Sequence, residues 1–388
     1  MSSVETSVQT AEALYAEVSE GYSRAVRVGE LLERVAELAP GRVPDAEALA
    51  AERERKLPDK QGVEVAQGVF LSDVLSHPRA GAHLVWSMLR PTQGALDRLD
   101  RYVQDGELDL GFVHLRREGR VAHLEIRNQR HLNAEDDLTL EMTEVAVDVA
   151  LLDPTTDVGV IRGSLVDHGK YAGTRVFSAG INLTRLYLGN IPYRFFVDRD
   201  MGYVNKLMRG LSSPGFRADG VESATTEMPW IAAVETFAIG GGCQLLHPMD
   251  HVIAERGALL SLPARKEGII PGASNMRLPR SVGDRLARQA ILSGLEFRAG
   301  TPHGDLLVDE TVEPGAIDEA VVARAAALVD SGLINAVANR RAIRAGTEPL
   351  ELFRRYMALY AHEAAQLYLS PALVANLERH WKAHERRI

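Results

Sequence analysis

Along the first 108 residues, apolar and charged positions are interspersed in stretches rich in Ala, Glu, Leu and Arg, residue types that favour helix. The pattern predicts helices over Ala11–Arg27, Gly29–Leu38 and Asp45–Arg55, punctuated by Pro40, Pro44, Pro58, Pro78 and Pro91. The charge run Arg53–Lys56 reads as a solvated helix face, and no catalytic cluster stands out in this region. Near Gly111 the texture changes. Gly111–Arg117 and Arg120–Arg127 carry β-branched and apolar residues around Glu118-Gly119, which predicts a hairpin. A helix is expected over Glu135–Leu152 with Asn133 as its N-cap. Short strands are expected at Val158–Ile161 and Arg175–Ser178, and an amphipathic helix at Tyr193–Leu211. The apolar run Trp230–Val234 predicts a buried strand leading through Ile239 into Gly240-Gly241-Gly242 and a helix at Cys243–His247. Strands at His251–Ala254 and Leu259–Leu262 follow, and the chain from Asn275 onward reads as mostly helical. Strands alternating with helices imply a layered α/β core.

Composition narrows the function class. The 388 residues are enough for two to three units as a prior. A net charge of -9 argues against a nucleic-acid partner as a global property. One cysteine, Cys243, rules out an intramolecular disulfide and nearly excludes a Cys-based zinc site. Met1–Glu20 lacks the basic and apolar regions of a signal peptide, and no apolar stretch approaches the ~20 residues of a membrane span. A cytoplasmic enzyme without membrane partners is the expectation. His123-Leu124-Glu125 and His303-Gly304-Asp305 show His-x-acid spacing, but such pairs arise readily by chance among 12 histidines, and no metal site is expected.

The segment Trp230–Gln244 carries the most chemistry. A strand enters three glycines and a helix leaves them. Glycine permits close backbone approach, and a helix's first turn offers N–H groups without partners. Together these suit an oxyanion, although a tight packing turn accounts for the glycines equally well. Phe177-Ser178-Ala179-Gly180-Ile181-Asn182 offers a second backbone N–H, at Ile181. Glu267-Gly268-Ile269-Ile270-Pro271-Gly272-Ala273 and Asn128-Gln129-Arg130-His131-Leu132-Asn133-Ala134 complete the set.

In this order and spacing, the four segments resemble the crotonase (enoyl-CoA hydratase/isomerase) superfamily over roughly Gly111–Pro314. The resemblance implies an α/β fold, a crotonase-like ββα spiral core at 109–314. Around it stand a helical N-terminal region (1–108) and a C-terminal helical trimerisation region (315–388). It implies an acyl-CoA substrate and a homo-trimer or homo-hexamer. It also implies an oxyanion hole from the N–H groups of Ile181 and Gly241, which would favour a thioester enolate over its ground state.

Hydratases of that superfamily use two glutamates. Their positions are Gln244 and Ala264 here, so water addition lacks both proton-transfer groups. Val85–Thr92, Met201–Arg209 and Ser261–Gly272 resemble one branch, metal-free dioxygenases of aryl-acetyl-CoA thioesters. That branch implies conversion of 3,5-dihydroxyphenylacetyl-CoA and O2 to 3,5-dihydroxyphenylglyoxylate and CoA, in antibiotic biosynthesis, without metal or flavin.

By the same resemblance Arg199 and Glu135 contact the ring hydroxyls. For Arg199 the competing reading is a surface ion pair with Asp198 or Asp200; for Glu135 it is a charge at a helix N-terminus. Gln244 is open between a substrate contact and an ordinary helix residue. Gln129 stands in the CoA-contacting stretch, Ala179 and Gly242 flank the two donors, and Lys170 is open between a CoA phosphate contact and a solvated lysine. Ile269 is open between an oxygen pocket and core packing. The base that removes the Cα proton is not assigned. Another crotonase reaction (isomerisation or thioester hydrolysis) and a catalytically silent CoA-binding scaffold remain as alternatives.

Overall fold

The structure, a computed structural model, describes residues 9–217 and 225–387. Residues 1–8 of the expected N-terminal region lie outside the described residues.

Seven strands hydrogen-bond in chain order into the main sheet: Glu107–Asp109, Val113–Glu118, Val121–Ile126, Val158–Gly163, Trp230–Val234, His251–Glu255 and Glu310–Val312. The first three pair antiparallel, and from Val121–Ile126 onward every pairing is parallel. The expected hairpin is present, with Val113 opposite Ile126. Parallel strands are covered on both faces and therefore read as apolar runs. Trp230–Val234 is buried at every position. Its Ile231 and Ala233 pack with Ile317, Val321 and Ala325 of the helix Ile317–Ser331 on one face. Its Trp230, Ala232 and Val234 face the larger core built with the helix Leu140–Leu152. A second sheet joins Phe237–Ile239, Leu259–Ser261 and Phe297–Arg298.

The N-terminal helices and the tail share one apolar core. Leu71 and Val74 of Val65–Ser76 belong to the same cluster as Phe353, Met357 and Ala361 of Leu350–Tyr368. That cluster also takes in Ile181, Phe196 and Met201, so this layer backs directly onto the segment expected to carry chemistry. Among the described residues no single helix is long and apolar enough to cross a membrane.

Several expectations differ from the fold, among them the helix expected at Cys243–His247, which spans Gly241–Gln244. The helix starting at Ala11 ends at Val18, because Glu20, Gly21 and Tyr22 all take positive φ. The helix expected from Glu135 begins at Leu140. Asn133 is not its cap: it has φ 56°, and its side-chain amide donates to the carbonyls of Ser164 (3.2 Å) and Val176 (2.7 Å). Arg175–Ser178 forms isolated bridges rather than a strand, Arg175 to Leu165 and Ser178 to Ala238. The Tyr193–Leu211 helix is two helices, Arg194–Met201 and Tyr203–Arg209, broken at Gly202. Both are largely buried, so they lack the polar face of an amphipathic helix.

Candidate active site

The strand Phe237–Ile239 ends at Gly240, whose φ 53° and ψ -119° suit glycine alone, and the short helix Gly241–Gln244 begins there. Alongside runs Ser178–Asn182. The Ile239 N–H donates to the Ser178 carbonyl at 2.9 Å. Gly180 has φ 84°, and a Cβ on it would lie 2.7 Å from the Ile239 oxygen and 2.8 Å from the Gly241 nitrogen. The two loops therefore touch backbone to backbone, which only glycine allows. On the other side Glu135 bridges Ile181: Glu135 N–H donates to Gly180 (2.7 Å), and Asn182 N–H donates to Glu135 (2.8 Å). These bonds leave the buried N–H groups of Ile181 and Gly241 with no protein acceptor among the described residues. Buried donors of this kind cost free energy unless a ligand or water accepts from them.

Just inside these loops lies a closed polar cluster. The Arg199 guanidinium donates from Nε to Glu135 Oε2, from Nη1 to Gln244 Oε1 and from Nη2 to the Gly241 carbonyl, each at 2.9 Å. Tyr203 OH donates to the other Glu135 oxygen. Burial pushes the Glu135 carboxyl above its usual pKa, and Arg199 only partly offsets that. Asp200, 3.8 Å from Arg199 and accepting from Ala273 N–H, is also raised by burial. Burial works against the Arg199 charge, but Glu135 and Asp200 outweigh it and hold the guanidinium above its usual value.

In front of the loops opens a cavity of about 620 Å³. Ala134, Ala179, Ile181 and Ile239 form part of its wall, and Arg130, Lys170, Lys266 and Arg386 bring positive charge to it. Glu267 also lines it, at the end of the one-turn helix Ala264–Glu267. A Cβ on Gly240 would lie 3.6 Å and 3.9 Å from its two carboxylate oxygens.

The structure thus brings together Ile181, Gly241, Gln244, Glu135 and Arg199. Arg199 is buried in the cluster, not a surface ion pair with Asp198 or Asp200, and Glu135 lies ahead of the helix rather than in its first turn. Ala179 and Lys170 reach the cavity wall, while Gln129 is not part of it. Gly242 packs on Ser178, where a Cβ would meet the carbonyl oxygen at 2.7 Å. Ile269 is partly buried and borders a small apolar void with Phe196, Ile270 and Tyr360. Among the described residues no group of three His, Cys, Asp or Glu side chains is placed to hold a metal ion. Glu125 goes instead to ion pairs with Arg127 and Arg175, and His123, whose pKa burial lowers to about 4, faces Glu118 at 3.4 Å as a neutral imidazole. Sequence reasoning passed over Tyr203 and Glu267. Both stood in segments singled out for other residues, and an acid directly before the helix-ending Gly268 was the available signal.

The Enoyl-CoA hydratase/isomerase family profile matches residues 116–364. The (3,5-dihydroxyphenyl)acetyl-CoA 1,2-dioxygenase of Amycolatopsis orientalis is 45% identical over 361 residues, 92% of this chain and 81% of that protein. The short-chain-enoyl-CoA hydratase of Clostridium acetobutylicum is 28% identical over 62% of this chain and 84% of its own. Among solved structures, an enoyl-CoA hydratase from Mycobacterium avium subsp. paratuberculosis superposes with a TM-score of 0.56 at 18% identity. It covers 72% of this chain and 99% of its own, and that likeness bears on the fold alone.

Proposed function

This chain belongs to the enoyl-CoA hydratase/isomerase family, and from that premise we propose that it is a dioxygenase of 3,5-dihydroxyphenylacetyl-CoA. The reaction takes the thioester and O2 to 3,5-dihydroxyphenylglyoxylate and CoA. The relative that is 45% identical over most of the chain supports the substrate and the reaction type. One observation carries the chemistry: the Ile181 and Gly241 amides, free of protein acceptors among the described residues, sit on two touching loops at the cavity.

In this reading the thioester oxygen accepts from both amides. Loss of a Cα proton moves the C–H electron pair into the C–C bond and leaves the charge on that oxygen, where two preorganised donors meet it. The enolate passes one electron to O2, and the radical pair recombines as a peroxide on Cα. The peroxide oxygen attacks the thioester carbonyl and expels the CoA thiolate. Loss of the second Cα proton then breaks the O–O bond and leaves the arylglyoxylate. Two protons leave Cα, matching one thiol and one carboxylic acid formed. The substrate carbanion supplies the electrons, so the proposed chemistry draws on neither metal nor flavin.

The cationic side chains Arg130, Lys170, Lys266 and Arg386 suit the phosphates of CoA. Glu135, Gln244 and Arg199 offer acceptors and a donor suited to ring hydroxyls. Hydration is disfavoured because Gln244 carries an amide and position 264 an alanine. We further propose an oligomeric, cytoplasmic enzyme of antibiotic biosynthesis. The test is metal-stripped protein incubated with dihydroxyphenylacetyl-CoA with and without air. Oxygen uptake matched by CoA release, both absent without air, is the expected result. CoA release of equal rate in both would identify a thioester hydrolase instead.

A further inference from the structure

We infer that Glu267 is the general base that takes the Cα proton from the bound thioester; the inference rests on the enolate reading above. The carboxylate lines the same cavity as Ile181 and Ile239. It stands beside Gly240, which precedes Gly241 and lies against Gly180, the residue before Ile181: a Gly240 Cβ would be 3.6 Å from Glu267 Oε1 and 3.7 Å from Gly180 Cα. A group there meets the carbon next to a carbonyl whose oxygen lies between the two amides.

The surrounding acids are committed elsewhere. Glu135 accepts from Arg199 and Tyr203, and Asp200 accepts from Ala273 N–H. No donor reaches the Glu267 carboxylate among the described residues, and its backbone N–H is spent on the Pro263 carbonyl. Its position is fixed by Gly268, in the left-handed region, which ends the helix, and by the packing of that turn against Leu373 and Asn376. A carboxylate held in place with its lone pairs unused is what proton abstraction requires.

Electrostatics agree. Burial alone pushes the Glu267 carboxyl up to about 7. Lys266 on its own helix, Arg130 and His131, Lys170 and His168, and His380 and Arg386 of the tail all line the cavity, yet none offsets that rise. A base of that strength is about half ionised at neutral pH and accepts a proton readily in its ionised form. The step balances: Glu267 gains the proton, the C–H pair becomes the enolate, and the proton is then available to the departing CoA thiolate. The carboxylate so restored serves for the second Cα proton.

The rivals are the cavity histidines His131, His168 and His380. Deuterium wash-out from [2,2-²H₂]phenylacetyl-CoA, followed by mass spectrometry without oxygen, isolates proton abstraction from everything later. The wild type should exchange, with a rate that climbs as pH rises through about 7 and then levels. Glu267→Gln should slow exchange about 100-fold or more with thioester affinity held, and Glu267→Asp should restore part of it. Exchange by Glu267→Gln at the wild-type rate would overturn this assignment and leave the proposed function standing. A wild-type rate flat across the pH range would overturn it too, without need of any variant. A wild type that never exchanges would remove the enolate reading itself, and this inference with it.

Discussion

Replacing Arg199 with methionine removes a buried cation of similar reach and leaves the Glu135 carboxylate almost without an answer. Arg199 makes three hydrogen bonds of 2.9 Å, one of them to Glu135, and both residues are buried. Breaking a buried pair by deleting one partner costs about 3–5 kcal/mol when the remaining charge stays ionised. It need not stay ionised. Burial already holds the Glu135 pKa above its usual value, and Arg199 is the main influence pulling it down, so the variant's carboxyl rises further. With the folded pKa above the unfolded one, the native state binds a proton that the unfolded chain has lost. Stability is then fully present below the unfolded value, roughly 4.3, and is lost as pH rises through the folded value. Each unit of that separation is worth about 1.4 kcal/mol.

At low pH a neutral carboxyl with lost hydrogen bonds costs about 1–3 kcal/mol. Arg199→Met should therefore be destabilised at both ends, by about 2 kcal/mol more at high pH than at low. Urea denaturation of wild type and variant at pH near 5 and near 8 measures the difference. Adding Glu135→Gln to Arg199→Met should recover most of the high-pH loss, a coupling of about 2 kcal/mol. Equal penalties at the two pH values, or a larger one in acid, would show that Glu135 does not depend on Arg199 for its charge.

Ile181→Pro deletes one proposed oxyanion donor and should slow turnover about 100-fold or more; an unchanged steady-state rate refutes the assigned hole. Gly241→Ala places a Cβ 2.3 Å from Glu135 Oε2 and 3.3 Å from Arg199 Nη2. The carboxylate must then swing away, so this variant should bind the dihydroxylated substrate more weakly while remaining folded, as titration and circular dichroism would report. Wild-type affinity would mean that the cluster has room the structure does not show.

Elements governed by local rules were legible in the chain. Glu118-Gly119 between apolar runs marked the hairpin, and Trp230–Val234 into three glycines marked the strand and its turn. Misplacements came where tertiary bonds override local preference. Asn133 looks like a cap by type, yet its amide is spent on the Ser164 and Val176 carbonyls and its backbone is left-handed. Val28–Leu38 carries its helical pattern openly, but nothing local says that Val65–Ser76 will pack against a helix some 280 positions later, Leu350–Tyr368. Resemblance assigned Arg199 to the substrate ring, with a surface ion pair as the competing reading; only the fold reveals that Glu135 and Gln244 surround it. Glu267 was hidden for a different reason. A carboxylate gains meaning from which donors fail to reach it, and that is a property of the assembled cavity.

Glu135 and Glu267 differ in this respect, and the difference divides their work. Burial raises both carboxyls. Glu135 is answered by Arg199 and Tyr203, one on each oxygen, which fix its geometry and leave further lone pairs to accept from a hydroxyl, while the adjacent Arg199 cation makes it poorly fitted to take a proton from carbon. Glu267 has no such partners among the described residues. Glu135→Gln should therefore weaken the preference for a dihydroxylated over an unsubstituted ring while leaving anaerobic Cα exchange of the unsubstituted thioester within a few-fold of wild type. If that substitution instead abolished exchange and spared ring preference, the two roles would have to be reversed. The cluster behind the loops would then be the seat of proton transfer.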